Sequence, residues 1–251
     1  MERIRQKKFT NGSVYALKTN DEYLIETTDT FLPECTKYCN YNIEGYGDRT
    51  ERWMIGVSVM SGCPVGCKFC ATGNMNKFRN LTEDEIVEQI LFVLDCNPQY
   101  KFNKAIEHKV NYTRMGEPFL NIKNVRRAVE LVNSNYPNAH HYISTIGIKD
   151  SDFSWIKENI TLQISLHSLD EERRNNLIPF KNKMTIKELG QIRTKSNLKT
   201  TLNLTLVDYA DFNIEKLKEY FDPQYFFIKL SPINPNLNNT MGGGVINGRN
   251  Y

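Results

Sequence analysis

Apolar and polar positions change their period several times along the 251-residue chain, and each change predicts an element. Residues 13–28, SVYALKTNDEYLIETT, follow the two-residue rhythm of half-buried strands, broken at the polar turn Thr19-Asn20-Asp21. That pattern predicts a small β-hairpin. A polar stretch over 33–51, carrying Cys35 and Cys39, reads as a loop. From residue 53 onward, apolar runs alternate with segments of helical period. The runs at 53–60, 108–115, 139–148, 160–167, 201–208 and 225–234 predict strands. Between them, LTEDEIVEQILFVLD (81–95) places Thr82 as an N-cap with Glu85 three residues on, the signature of a capping box. NIKNVRRAVELVNS, the short WIKEN, TIKELGQIRTK and NIEKLKEYF predict further helices.

Successive β/α units of this kind predict an α/β fold: a parallel sheet with right-handed crossovers, curled into a partial (β/α)6 TIM-like barrel. The expected division is a hairpin and loop extension over 1–52, a core over 53–235, and a flexible glycine-rich tail over 236–251. Barrels of this type collect their functional side chains at the carboxyl ends of the strands. Here those ends carry a cysteine loop, Gly116-Glu117, Ser144, Ser165, His167 and Asn234.

Composition narrows the function classes. Hydrophobic residues at 40% and charged residues at 24% are ordinary for a globular protein. The net charge of +3 permits contact with nucleic acid without requiring it. No apolar run approaches the roughly 18 residues of a membrane span, and the opening MERIRQKKFTNG lacks the apolar centre of a secretory signal. Six cysteines without an export signal point to the cytoplasm and to metal or redox chemistry.

Three of the six crowd into SGCPVGCKFCATG (61–73), as Cys63, Cys67 and Cys70 at C-x3-C-x2-C. Three thiols cannot pair evenly, and bridges between such close neighbours are strained. Zinc is an alternative, but a closed structural zinc site usually takes four protein ligands. Three thiolates on a loop loosened by glycines suit an iron–sulfur cube with one iron left open to a ligand.

A C-x3-C-x2-C loop after a first barrel strand resembles the radical S-adenosylmethionine (SAM) superfamily. The resemblance implies a [4Fe–4S] cluster on Cys63, Cys67 and Cys70, with SAM on the open iron. It also implies an electron donor such as flavodoxin or ferredoxin, and cleavage of SAM to a 5′-deoxyadenosyl radical. GCKFCATG, MGEPFLN (115–121), ISTIGI (143–148) and ISLHS (164–168) resemble more narrowly the RlmN and Cfr group, which methylates adenine in 23S ribosomal RNA. On that pattern Phe69 packs near the adenine of SAM, and Gly116 and Glu117 meet its amino group. Ser144, Ser165, His167 and Asn234 line its ribose and methionine. Glu26, in LIETTDTFLP (24–33), matches a glutamate assigned to base chemistry.

The chain departs from that group in three respects. Arg114 stands where the group has a glycine before Met115, the group's N-terminal RNA-binding domain has no counterpart, and no cysteine follows Cys96. The group's methyl transfer uses a cysteine near the C-terminus, whereas the residues after Asn234 read PNLNNTMGGGVINGRNY. The expectation is therefore a lyase that uses SAM only as a radical source. Its substrate would be a small nucleobase-like molecule, with queuine (giving preQ1) as a candidate, and RNA would be disfavoured. An RNA adenine methyltransferase is the alternative, and a non-enzymatic iron–sulfur protein the second. The tail is expected either to fray or to close over the substrate through Arg249 or Tyr251.

Overall fold

A computed structural model describes residues 1–33, 47–206 and 212–232 and the backbone of 245–246 and 249–250. The chain forms two compact units. The first comprises Met1–Ser61 and Arg79–Ile143. Its strands β1 (Glu2–Phe9), β2 (Gly12–Lys18) and β3 (Leu24–Leu32) form an antiparallel meander, and β3 runs antiparallel to β4 (Arg52–Gly56). The short β5 (Met60–Ser61) and β6 (Arg79–Asn80) pair beside it. The connections then become parallel: β4 pairs with β7 (Glu107–Tyr112), and β7 with the first residues of β8 (His140–Thr145).

Side-chain alternation gives this sheet two unlike faces. Tyr15 and Leu17 of β2 and Ile25, Thr27 and Asp29 of β3 are buried beneath α1 (Glu83–Asp95). There the Tyr15 ring meets Phe92 edge-on at 5.1 Å. The α1 capping box forms as the sequence predicts: Glu85 N donates to Thr82 Oγ1 at 3.2 Å, and Thr82 N to Glu85 Oε2 at 2.9 Å. Helix α2 (Ile122–Asn135) buries Val125, Ala128, Val129 and Val132. By the strand registers, Arg5, Lys7, Glu26, Thr28, Gly56, Lys109, Asn111 and Tyr142 share the opposite, more polar face with Val14, Ala16 and Met54.

The second unit comprises Gly62–Phe78 and Ser144–Tyr251. Strands β9 (Ile160–Ser165), β10 (Thr200–Leu206) and β11 (Phe226–Pro232) are parallel neighbours. They are joined by α3 (Glu171–Leu177), α4 (Ile186–Gly190) and α5 (Ile214–Tyr220). The backbone segments β12 (Val245–Ile246) and β13 (Arg249–Asn250) pair antiparallel. The mixed α/β class and all six core strands match the sequence-based expectation.

Four details differ. The N-terminal hairpin is a three-stranded meander, because the charged β1, ERIRQKKF, is exposed along almost its whole length and carries no burial rhythm. WIKEN forms separate turns, with Ile156 N bonded to Phe153 O at 3.1 Å and Ile160 N to Lys157 O at 2.9 Å; so short a segment does not offset the cost of helix nucleation. The helix expected over TIKELGQIRTK stops at Gly190, a residue that favours helix ends. EERRNNL forms α3 without an apolar period, started by Asp170, whose Oδ1 accepts from Arg173 N at 2.8 Å. Among the described residues no helix is long and apolar enough to cross a membrane.

Candidate active site

The cysteine loop opens the second unit. Gly66 takes φ = +70°, in the left-handed region, although a Cβ there would meet only Pro179 Cγ, at 3.9 Å. The glycine is therefore needed for backbone freedom rather than for space. Consecutive tight turns follow: Cys70 N donates to Cys67 O at 3.1 Å, and Gly73 N to Cys70 O at 3.2 Å. Lys68 N donates to Leu177 O at 3.0 Å, tying the loop to the end of α3. Cys63, Cys67 and Cys70 are each partly exposed. Among the described residues their thiols do not by themselves converge into a metal-holding group.

Phe69, Ser144, Ser165 and His167 belong to the same unit. The Phe69 and His167 rings meet edge-on, with centroids 4.7 Å apart. His167 is buried and sits at φ = +59°, rare for a residue with a side chain and costing roughly 1 kcal/mol or more. Leu166 N and His167 N both donate to Asn203 O, at 3.0 and 3.2 Å, which holds this corner. His167 Nδ1 accepts from Thr205 N at 3.2 Å, leaving the ring proton on Nε2. Burial, then the charge of Arg174, pushes His167 down to about 3, so the imidazole is neutral. Ser144 Oγ and Ser165 Oγ stand 3.5 Å apart.

Gly116, Glu117 and Glu26 lie in the first unit. Gly116 has φ = +100°, and a Cβ there would fall 2.6 Å from Met60 Cβ, so the close approach admits only glycine. Glu117 is buried, and its Oε1 accepts from Phe119 N at 3.0 Å, capping the turn over Pro118–Leu120. Glu26 forms an ion pair with Arg114, the residue that departs from the RlmN and Cfr pattern. A Cβ on Gly56 would fall 2.3 Å from Thr28 Oγ1 and 3.1 Å from the Arg114 stem, so Gly56 leaves room for both side chains.

Asn234, Cys35, Cys39 and the tail contacts expected of Tyr251 and the Arg249 side chain lie outside the described residues. Cys96 caps the C-terminus of α1, on the helix-facing side of its sheet, against the Tyr15 hydroxyl; burial pushes its thiol up. Two side chains went unrecognised in the sequence. Asn121 Nδ2 donates to both Val59 O and Leu81 O at 2.8 Å, fixing the chain that leads to the cysteine loop. The fully buried Arg174 donates to Ile146 O at 2.7 Å and Met184 O at 2.8 Å. Asn121 lies inside the MGEPFLN motif and was open to notice, whereas nothing in the pattern of α3 marks Arg174.

Comparison with known proteins separates the readings. The family model described as Radical SAM superfamily matches residues 57–221. A probable dual-specificity RNA methyltransferase RlmN from Pseudothermotoga lettingae is 29% identical over 94% of this chain and 68% of its own length. One from Dictyoglomus turgidum is 38% identical over 67% of this chain and 51% of its own length. The chain thus spans about half to two thirds of these relatives. A crystal structure of a radical SAM methyltransferase from Sphaerobacter thermophilus superposes with a TM-score of 0.68 at 22% identity, covering 93% of this chain and 67% of that one. It shares the fold.

These findings overturn the lyase expectation, together with its small nucleobase-like substrate, its queuine candidate and its disfavouring of RNA. Relatives named as RNA methyltransferases favour the alternative. The lyase expectation rested on a thiol missing after Asn234. In a chain matching only part of its relatives' length, that absence does not decide the reaction. The donor set also fits the family's cofactor: Cys63, Cys67 and Cys70 stand on one short loop, each partly exposed, with Cys67 to Gly73 held in successive backbone turns. With matching motifs and a family model over most of its core, the chain belongs to the radical SAM superfamily, whose members use a [4Fe–4S] cluster and SAM.

Proposed function

We propose that the chain is the SAM-cleaving part of a cytoplasmic RNA methyltransferase of the RlmN type, acting on adenine. The observation that carries this reading is the set of RlmN relatives matching up to 94% of the chain. The polar sheet face of the first unit supports it, because the exposed Arg5 and Lys7 offer cations to a phosphate backbone. When bound, the cluster on Cys63, Cys67 and Cys70 supplies the electron that cleaves SAM reductively. In this reading Glu117 receives the SAM ammonium and Gly116 admits it closely. Ser144, Ser165 and His167, through Nε2–H, serve its hydroxyl and carboxylate oxygens, Phe69 borders the adenine, and Asn234 completes the set. Glu26, already held by Arg114, acts as a fixed carboxylate. An electron donor of the flavodoxin or ferredoxin type reduces the cluster.

The test is anaerobic incubation of reconstituted protein with SAM, a reductant and ribosomal RNA fragments. Cleavage of SAM to 5′-deoxyadenosine that depends on the RNA is expected. SAM cleavage driven by free nucleobases, with no response to the RNA, would overturn the proposal.

Two substitutions probe the assignment. Glu117→Gln keeps an acceptor for Phe119 N but removes the charge, so the cluster should remain while SAM affinity falls by about 1.5–3 kcal/mol, read by equilibrium binding. Wild-type affinity in that variant would remove Glu117 from the SAM site. Cys96→Ala should leave SAM cleavage at the wild-type rate, because its thiol is directed to Tyr15 on the helix-facing side.

A further inference from the structure

Behind the cysteine loop, the second unit buries more positive charge than its hydrogen bonds explain. Arg174 is completely buried, and two of its nitrogens are used on Ile146 O and Met184 O. Its Nε–H is also buried and has no hydrogen-bond partner. A buried donor left unpaired typically costs about 1–3 kcal/mol, and such an exception in a native fold calls for a physical reason. Lys183 is 8% exposed, with Nζ donating to Asn175 Oδ1 at 2.5 Å and to Phe180 O at 3.2 Å. The carboxylate of Glu171 acts on both cations.

Several contacts tie the cysteine loop to the segment that carries both cations. Lys68 N is bonded to Leu177 O, three residues along α3 from Arg174, and the Lys68 ammonium is bonded to Asn176. Pro179 is the nearest neighbour of the Gly66 Cβ position. The Cys67 sulfur acts electrostatically on Arg174 and Lys183 alike. Both flanks of Cys67 therefore rest on the segment from Arg174 to Lys183.

We propose that Arg174 and Lys183 are positioning residues that form a cationic backing to the Cys67 side of the cluster and set its reduction potential. A cluster on three thiolates gains one negative charge when it accepts an electron. Fixed buried cations stabilise the more negative state and raise the potential, an effect that survives because little water screens it. The role differs from SAM binding, since neither side chain is needed as a ligand.

The test is a spectroscopically monitored redox titration of the reconstituted protein without SAM. Arg174→Gln and Lys183→Gln should each keep full iron content and shift the reduction equilibrium about tenfold toward the oxidised state, which for one electron is about 59 mV. Arg174→Lys should stay near the wild-type midpoint, a rescue that a purely structural arginine would not give. Should Arg174→Gln fail to fold, the Lys183→Gln and Arg174→Lys midpoints decide. Wild-type midpoints in the neutral variants, with iron intact, would overturn the proposal and leave Arg174 as a tie between two carbonyls.

Discussion

Alanine at Cys63, Cys67 or Cys70, introduced singly, is expected to remove the cluster and reduce SAM cleavage to background. Each of three irons in the cube needs its own thiolate, and the fourth is open to SAM, so no protein ligand is spare. Cys96 cannot substitute, because its thiol lies on the helix-facing side of its sheet, against Tyr15. The loop itself should survive, since its turns are held by backbone bonds from Cys70 N to Cys67 O and from Lys68 N to Leu177 O. Iron should therefore fall from about four per chain to near zero while thermal stability changes little. A triple variant that keeps about four irons would sink the assignment.

What the sequence made legible follows the range of the interactions involved. The α1 capping box spans three residues, and the cysteine turns lie within one loop, so local spacing was enough to find both. The six core strands announced themselves through apolar runs. By contrast, β1 pairs its backbone while exposing charged side chains, and α3 is set by the Asp170 cap and the buried Arg174 rather than by an apolar stripe. Periodicity has no purchase on either. The Glu26–Arg114 pair joins residues far apart in the chain; the motif showed that Arg114 was unusual, but only the fold supplied its partner. The reaction is not legible for a different reason. The lack of a thiol after Asn234 speaks against methyl transfer, whereas relatives named as RNA methyltransferases match two thirds or more of the chain.

Asp29→Ala is expected to be the most damaging single change outside the cluster. The carboxylate is completely buried and fully used. It accepts from Trp53 Nε1 at 2.8 Å, Arg49 Nε at 3.0 Å, Arg49 Nη2 at 2.5 Å and Asn97 Nδ2 at 3.1 Å. Its removal leaves a largely buried guanidinium without its counter-charge, and orphans the indole and amide donors as well. Breaking one side of a buried pair in this way costs about 3–5 kcal/mol. For a chain of this length each kcal/mol lowers Tm by about 2–4 °C, so a fall of roughly 6–20 °C is expected in a thermal melt. Asp29→Asn, which keeps an acceptor for Trp53, should lose less. A loss below about 1 kcal/mol would mean that the pair behaves like an exposed salt bridge. The consequence reaches the candidate site through strand register. Asp29 is anchored on the helix-facing side of β3, and alternation then sends Glu26 and Thr28 to the opposite face, beside Gly56 and Arg114. A one-residue slip of β3 would turn Glu26 into the core. Partial destabilisation by Asp29→Asn should accordingly lower the rate of SAM cleavage before it lowers iron content.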